Sequence, residues 1–152
     1  MGSKSGVQIP EPALSRFLFA DTRFAWFWLI VRLYVGWEWF YAGWEKLGNP
    51  AWTGSQAGAA VKGFLAGALQ KTGGAHPDVF GWYGSFLSHV IMPHTAFVSH
   101  VVTYGEILVG VALILGIFTG IAAFFGAFMN FNYLFAGTVS TNPLLALLAL
   151  FL

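Results

Sequence analysis

RLYVGWEWFYAGWEKLG, residues 32–48, decides the fold. Three tryptophans, two tyrosines and a phenylalanine make the stretch apolar enough for a lipid bilayer, yet it carries Arg32, Glu38, Glu45 and Lys46. On a helix at about 100° per residue, Arg32, Gly36, Trp39, Gly43 and Lys46 fall on one stripe, because their spacing alternates four and three. Glu38 and Glu45 form a second stripe about 120° away. Two glycines on the arginine stripe let another helix approach closely, so that face points into a helix bundle.

Outward from this stretch the chain stays apolar. Its 152 residues are 57% hydrophobic, 18% aromatic and only 9% charged, against about 25% charged in a soluble domain. The composition is that of an integral membrane protein whose solvent is the lipid bilayer. Seven basic and six acidic residues give a net charge of +1 with no block of one sign, which excludes nucleic acid as a partner. The absence of cysteine removes disulfides, thiolate nucleophiles, iron–sulfur ligation and thioether-linked haem. Residues 1–23 carry Pro10, Pro12, Lys4, Arg16 and Arg23 and lack the uninterrupted apolar core of a signal peptide. They read as a cytoplasmic tail with an interfacial turn over Leu14–Phe19.

A spanning helix needs about 20 mostly apolar residues. Three segments qualify: about 24–47, about 97–118 and about 120–137. A fourth run, 143–152, is too short to cross and reads as part of a fourth helix. The expected fold is therefore all-α, an integral membrane four-helix bundle with an incomplete fourth helix, in one domain over 24–152. The connection 48–96 is too long for an unstructured loop. Within it Ala57, Ala60, Val61, Phe64, Leu65, Ala68 and Leu69 recur at helical spacing, predicting an amphipathic helix on the membrane surface or capping the bundle. Residues 79–92 predict a second short helix, stopped by Pro93. Arg16 and Arg23 before the first span place the N-terminus in the cytoplasm, with the long loop outside. The location is then the inner (cytoplasmic) membrane, crossed several times.

An intramembrane charge faces protein and finds a partner. Counted from the middle of each span, Glu106 lies near the midplane, Arg32 about 5 Å to the cytoplasmic side and Glu38 about 4 Å to the outer side. Arg32 is thus expected to pair with Glu106 or, less easily, Glu38, and Asn130 joins the same polar layer. Such a pair either fixes helix register or handles protons. One arginine does not neutralise two carboxylates, so Glu38 is itself a proton-handling candidate. Lys46 and Glu45 read as snorkelling anchors or as contacts for an anionic substrate. Trp37 and Trp39 are too deep for an interfacial belt and serve either packing or stacking on a quinone-like ring. His89, His94 and His100 are spaced by five and six, which does not align two imidazoles as helical metal sites do, so neither metal nor haem is expected. His100, about one turn before Tyr104, is the histidine best placed to serve a site.

RLYVGWEWFYAGWEKL, YGEILVGVALILGIFTGIAA and MNFNYLFAGTVSTNP, in that order, resemble the DoxX/DoxD family of four-helix membrane proteins over residues 24–152. The family includes the membrane subunit of thiosulfate:quinone oxidoreductase, which oxidises thiosulfate to tetrathionate and passes the electrons to quinone. The resemblance implies a quinone-linked oxidoreductase subunit working with other membrane-complex subunits. Thiosulfate would approach near Lys46, the quinone would lie by Trp37 or Trp39 with His100, Tyr104 and Asn130 as further contacts, and Glu38, Glu106 and Arg32 would act on protons. The alternative is a non-catalytic accessory subunit of a larger respiratory or photosynthetic complex.

Overall fold

A computed structural model describes residue 17 and residues 21–152; the expected tail, except for Phe17 and its last three residues, lies outside them. The described chain is all-helical, with no strand. Helix α1 is Ala25–Leu47, α2 is Ala59–Gln70, α3 is Gly81–Leu115, α4 is Thr119–Phe135 and α5 is Asn142–Ala149. One of them, α3, is long and apolar enough to cross a membrane. A short 3-10 turn, Thr22–Phe24, leads into α1 and is capped by Asp21, whose carboxylate accepts the Arg23 N–H at 2.9 Å. The Arg23 side chain holds that carboxyl below its ordinary range.

Sequence pattern predicts two separate helices where α3 runs as one. Its first turns, Gly81–Phe86, pass through a π turn, Leu87–Ile91, and a 3-10 turn, Met92–His94, into the long arm Thr95–Leu115. Pro93 falls at the start of the 3-10 turn, where a missing N–H is tolerated, and the π turn takes up the change in hydrogen-bond register. The proline does not end the helix.

The long arm of α3 lies antiparallel against α1 at close range. A Cβ at Gly43 would be 2.7 Å from Ile107 Cγ1 and 2.8 Å from its backbone nitrogen, one at Gly36 would be 3.0 Å from Leu113 Cβ, and one at Gly110 would strike the Phe40 backbone. Small residues at the crossing let two backbones approach. At Gly116 the chain leaves α3 in the left-handed region, φ 71, with Ile117 N–H donating to Ala112 O and Gly116 N–H to Leu113 O. This Schellman closure turns the chain at once into α4.

Two cores result. The first joins α1, α3, α4 and α5 through Val31, Val35, Trp39, Val109, Leu113, Ala122, Ala123, Ala127, Leu145 and Ala149. The second belongs to the long connection: Val61, Leu65 and Ala68 of α2 pack with Val79, Tyr83, Leu87 and Ala136. This cap covers the end of the bundle where α1 finishes. Ser99 Oγ donates to Trp52 O at 2.6 Å, Lys71 Nζ to Gly137 O at 2.6 Å and Tyr83 OH to the Asn132 side chain at 3.0 Å. At Gly58, φ 94, a Cβ would be 2.6 Å from Ala96 N, so only glycine lets the cap backbone lie against α3.

Helix α4 turns small or polar residues inward and large apolar ones outward. On α4 the buried residues are Ala122, Ala123, Gly126, Ala127 and Asn130, whereas Phe124, Phe125, Phe128, Phe131 and Phe135 are exposed.

Candidate functional site at the capped end of the bundle

Glu106 lies on the buried face of α3 with 2% of its surface exposed. Its carboxylate is met from both neighbouring helices. Lys46, on the last turn of α1, brings Nζ to 2.7 Å from Oε2, and Tyr133 of α4 donates its hydroxyl to Oε1 at 3.0 Å. The Lys46 ammonium also donates to Ala42 O at 3.3 Å. Oε2 makes an ion pair but no aligned hydrogen bond, so it keeps acceptor capacity. Two charges taken from water are held stably only when each finds opposite charge and hydrogen bonds, and here all three helices supply them.

The cap roofs this cluster. Lys46 Nζ sits 5.1 Å from the centre of the Trp52 ring, a cation–π contact, and Phe64 of α2 meets Tyr133 edge-on at 6.2 Å. Below the cluster, Asn130 is fully buried with both amide atoms unpaired. One turn further along the same face of α4, Gly126 accommodates the Trp39 indole, whose Nε1 would be 3.1 Å from a Cβ there and is likewise unpaired. A seam of polar groups thus runs from Lys46 through Glu106, Tyr133 and Asn130 to Trp39.

The residues singled out in the sequence separate into three places. Lys46, Glu106, Asn130 and Trp39 come together in this seam. Trp37, Tyr104 and His100 face outward: Trp37 stacks on Tyr41 at 6.3 Å, and His100 stacks on Tyr104 at 6.3 Å while its Nδ1 donates to Ala96 O. Arg32 is at the far end, against Gly116, ten residues and about 15 Å along the helix from Glu106. The expected Arg32–Glu106 pair is therefore replaced by Lys46–Glu106. Span midpoints had set Arg32 nearly level with Glu106, but the glycine contacts slide α1 along α3 and put Lys46 there instead. Glu38, half-buried, makes no ion pair or hydrogen bond among the described residues. No group of three or more metal-ligating side chains gathers among them either.

Tyr133 is the member that sequence reasoning missed. It lies three residues after Asn130, on the same helical face, and that spacing was the available signal. Carboxylate, phenol and ammonium in contact under a roof can store a proton and pass it between Oε1, the phenol oxygen and Nζ.

No curated protein and no solved structure matches the chain. One family model, described as TQO small subunit DoxD, matches residues 27–142, from the first turn of α1 to the first residue of α5. The chain belongs to the DoxD family.

Proposed function

We propose that this chain is the membrane-embedded small subunit of a thiosulfate:quinone oxidoreductase, and that Glu106, with Lys46 and Tyr133, handles the protons of quinone reduction. The observation that carries the reading is the buried Lys46–Glu106–Tyr133 contact; ionisable groups inside a membrane bundle mark proton or substrate paths. The bilayer setting is supported by the exposed phenylalanines of α4 and the exposed Leu108, Leu115 and Trp37, a surface suited to lipid. In that setting α1, α3, α4 and α5 form a four-helix bundle in the inner membrane, with a cytoplasmic N-terminus and the cap outside.

Two thiosulfates joining sulfur to sulfur as tetrathionate release two electrons, and quinone takes up two electrons and two protons to become quinol. The chain has no cysteine, so the sulfur chemistry is assigned to a partner subunit and the quinone side to this chain. The unpaired Trp39 N–H and Asn130 amide are donors of the kind that quinone carbonyls accept, and Glu106 with Tyr133 supplies the nearest exchangeable protons. The complex purified with its partner should reduce a soluble quinone analogue when given thiosulfate. Glu106→Gln should lower that rate about a hundredfold, the usual worth of a positioned acid–base group. An unchanged rate would remove Glu106 from the reaction. Copurification with a respiratory or photosynthetic complex, without thiosulfate oxidation, would favour the accessory-subunit reading.

A further inference from the structure

Arg32 is half-buried on α1, level with the turn that joins α3 to α4. Its guanidinium lies flat against Gly116, where a Cβ would be 2.8 Å from Nη1 and 3.0 Å from both Cζ and Nη2. Gly116 is also the left-handed cap of α3. Its backbone conformation therefore favours glycine, and the arginine end occupies the space a side chain would take. The guanidinium packs against the bare Gly116 backbone.

Among the described residues it has no counter-charge. Nε is buried without a hydrogen-bond partner, and no carboxylate pairs with the side chain among the described residues. Glu106 is taken by Lys46 and Asp21 by Arg23, and Glu38, six residues on along α1, makes no ion pair with Arg32. The surface around the guanidinium is apolar: Leu29 and Leu33 on α1, and Leu115, Ile117 and Phe118 at the turn, are all exposed. A planar fork of N–H donors suits two oxygens of one oxyanion. Exposed leucine, isoleucine and phenylalanine beside it suit acyl chains.

We propose that Arg32 binds the phosphate of an anionic phospholipid at the α3–α4 turn. The site rests on the membrane-bundle reading but not on the redox one. A free oxyanion offers the same head chemistry, but the exposed Leu115, Ile117 and Phe118 beside the guanidinium give acyl chains a surface next to the charge, so the lipid is the occupant chosen.

The test is native mass spectrometry of the purified protein, released from bilayer discs of phosphatidylglycerol and phosphatidylcholine. Wild type should retain phosphatidylglycerol in preference to phosphatidylcholine. Arg32→Gln should lose about tenfold of that retention, the worth of one charge-assisted hydrogen bond. Arg32→Lys, which keeps the charge and so the fold, should lose part of it for want of the fork. Arg23→Gln, at the same end but exposed and paired with Asp21, should retain lipid as wild type does. Equal retention by wild type and Arg32→Lys, or equal loss in Arg23→Gln, would overturn the site. So would Arg32-dependent binding of inorganic phosphate that displaces the lipid, since the ligand would then be a free anion. Extraction of the wild-type protein from membranes by alkaline carbonate would instead sink the bilayer reading itself.

Discussion

Lys46 and Glu106 stand or fall together. With Glu106 buried, loss of Lys46 strands a carboxylate among Thr103, Val109 and Asn130, all of them closed to solvent. Lys46→Met should therefore destabilise the protein by about 3 kcal/mol, the cost of breaking a buried pair from one side. The double variant Lys46→Met, Glu106→Leu should recover most of that loss, because no charge is left unpaired. Tyr133→Phe removes one hydrogen bond to Oε1 and should cost about 1 kcal/mol. Equilibrium unfolding in detergent reads all three, and additive single-variant effects would refute the coupling. The inward position of Glu106 and Asn130 was legible in the sequence, because polar groups in an apolar helix turn away from lipid. Which cation meets Glu106 was not, because that depends on how far α1 slides along α3, and only the contacts of Gly36, Gly43 and Gly110 fix the slide.

At the scale of the helices, glycines with the same helical conformation do opposite things. Gly110 sits where α1 and α3 touch backbone to backbone, and a Cβ there would meet Phe40. Gly110→Ala must push the helices apart and should cost about 1–3 kcal/mol. Gly63, on the exposed side of α2, has nothing within 4 Å of a built Cβ, so Gly63→Ala should add about 0.5–1 kcal/mol of stability through helix propensity alone. Thermal unfolding of the pair decides; a loss at Gly63 equal to that at Gly110 would mean α2 packs against something on that face. The glycine stripe on α1 and the amphipathic pattern of α2 were readable from spacing. The continuity of α3 through Pro93 was not, because a proline breaks or merely bends a helix according to where its missing N–H falls, and the π turn that settles this leaves no mark in the residues Leu87–Ile91.

At the scale of the molecule, the distribution of size and polarity bears on whether the solvent is a bilayer or water. Composition alone indicated lipid, but the same aromatic content would also suit a large buried core. The fold places Phe124, Phe128, Leu108 and Leu115 outward while Gly126, Ala127 and Asn130 lie inward. A single surface charge tests this directly. Leu108 is 68% exposed on the long arm of α3, and in water Leu108→Arg would change stability by no more than about 0.5 kcal/mol. In a bilayer the same change should cost about 2.5–3.5 kcal/mol, since arginine must be carried into hydrocarbon. Gln70→Arg, exposed at the end of α2 in the cap, should be neutral in either solvent. The measurement is the yield of folded protein in carbonate-washed membranes, followed by unfolding in bilayer discs. A Leu108→Arg variant as abundant and stable as Gln70→Arg would show that the outer face of α3 meets water or a polar partner. A selective loss would fix that face in lipid, and with it the depth of the Lys46–Glu106–Tyr133 contact.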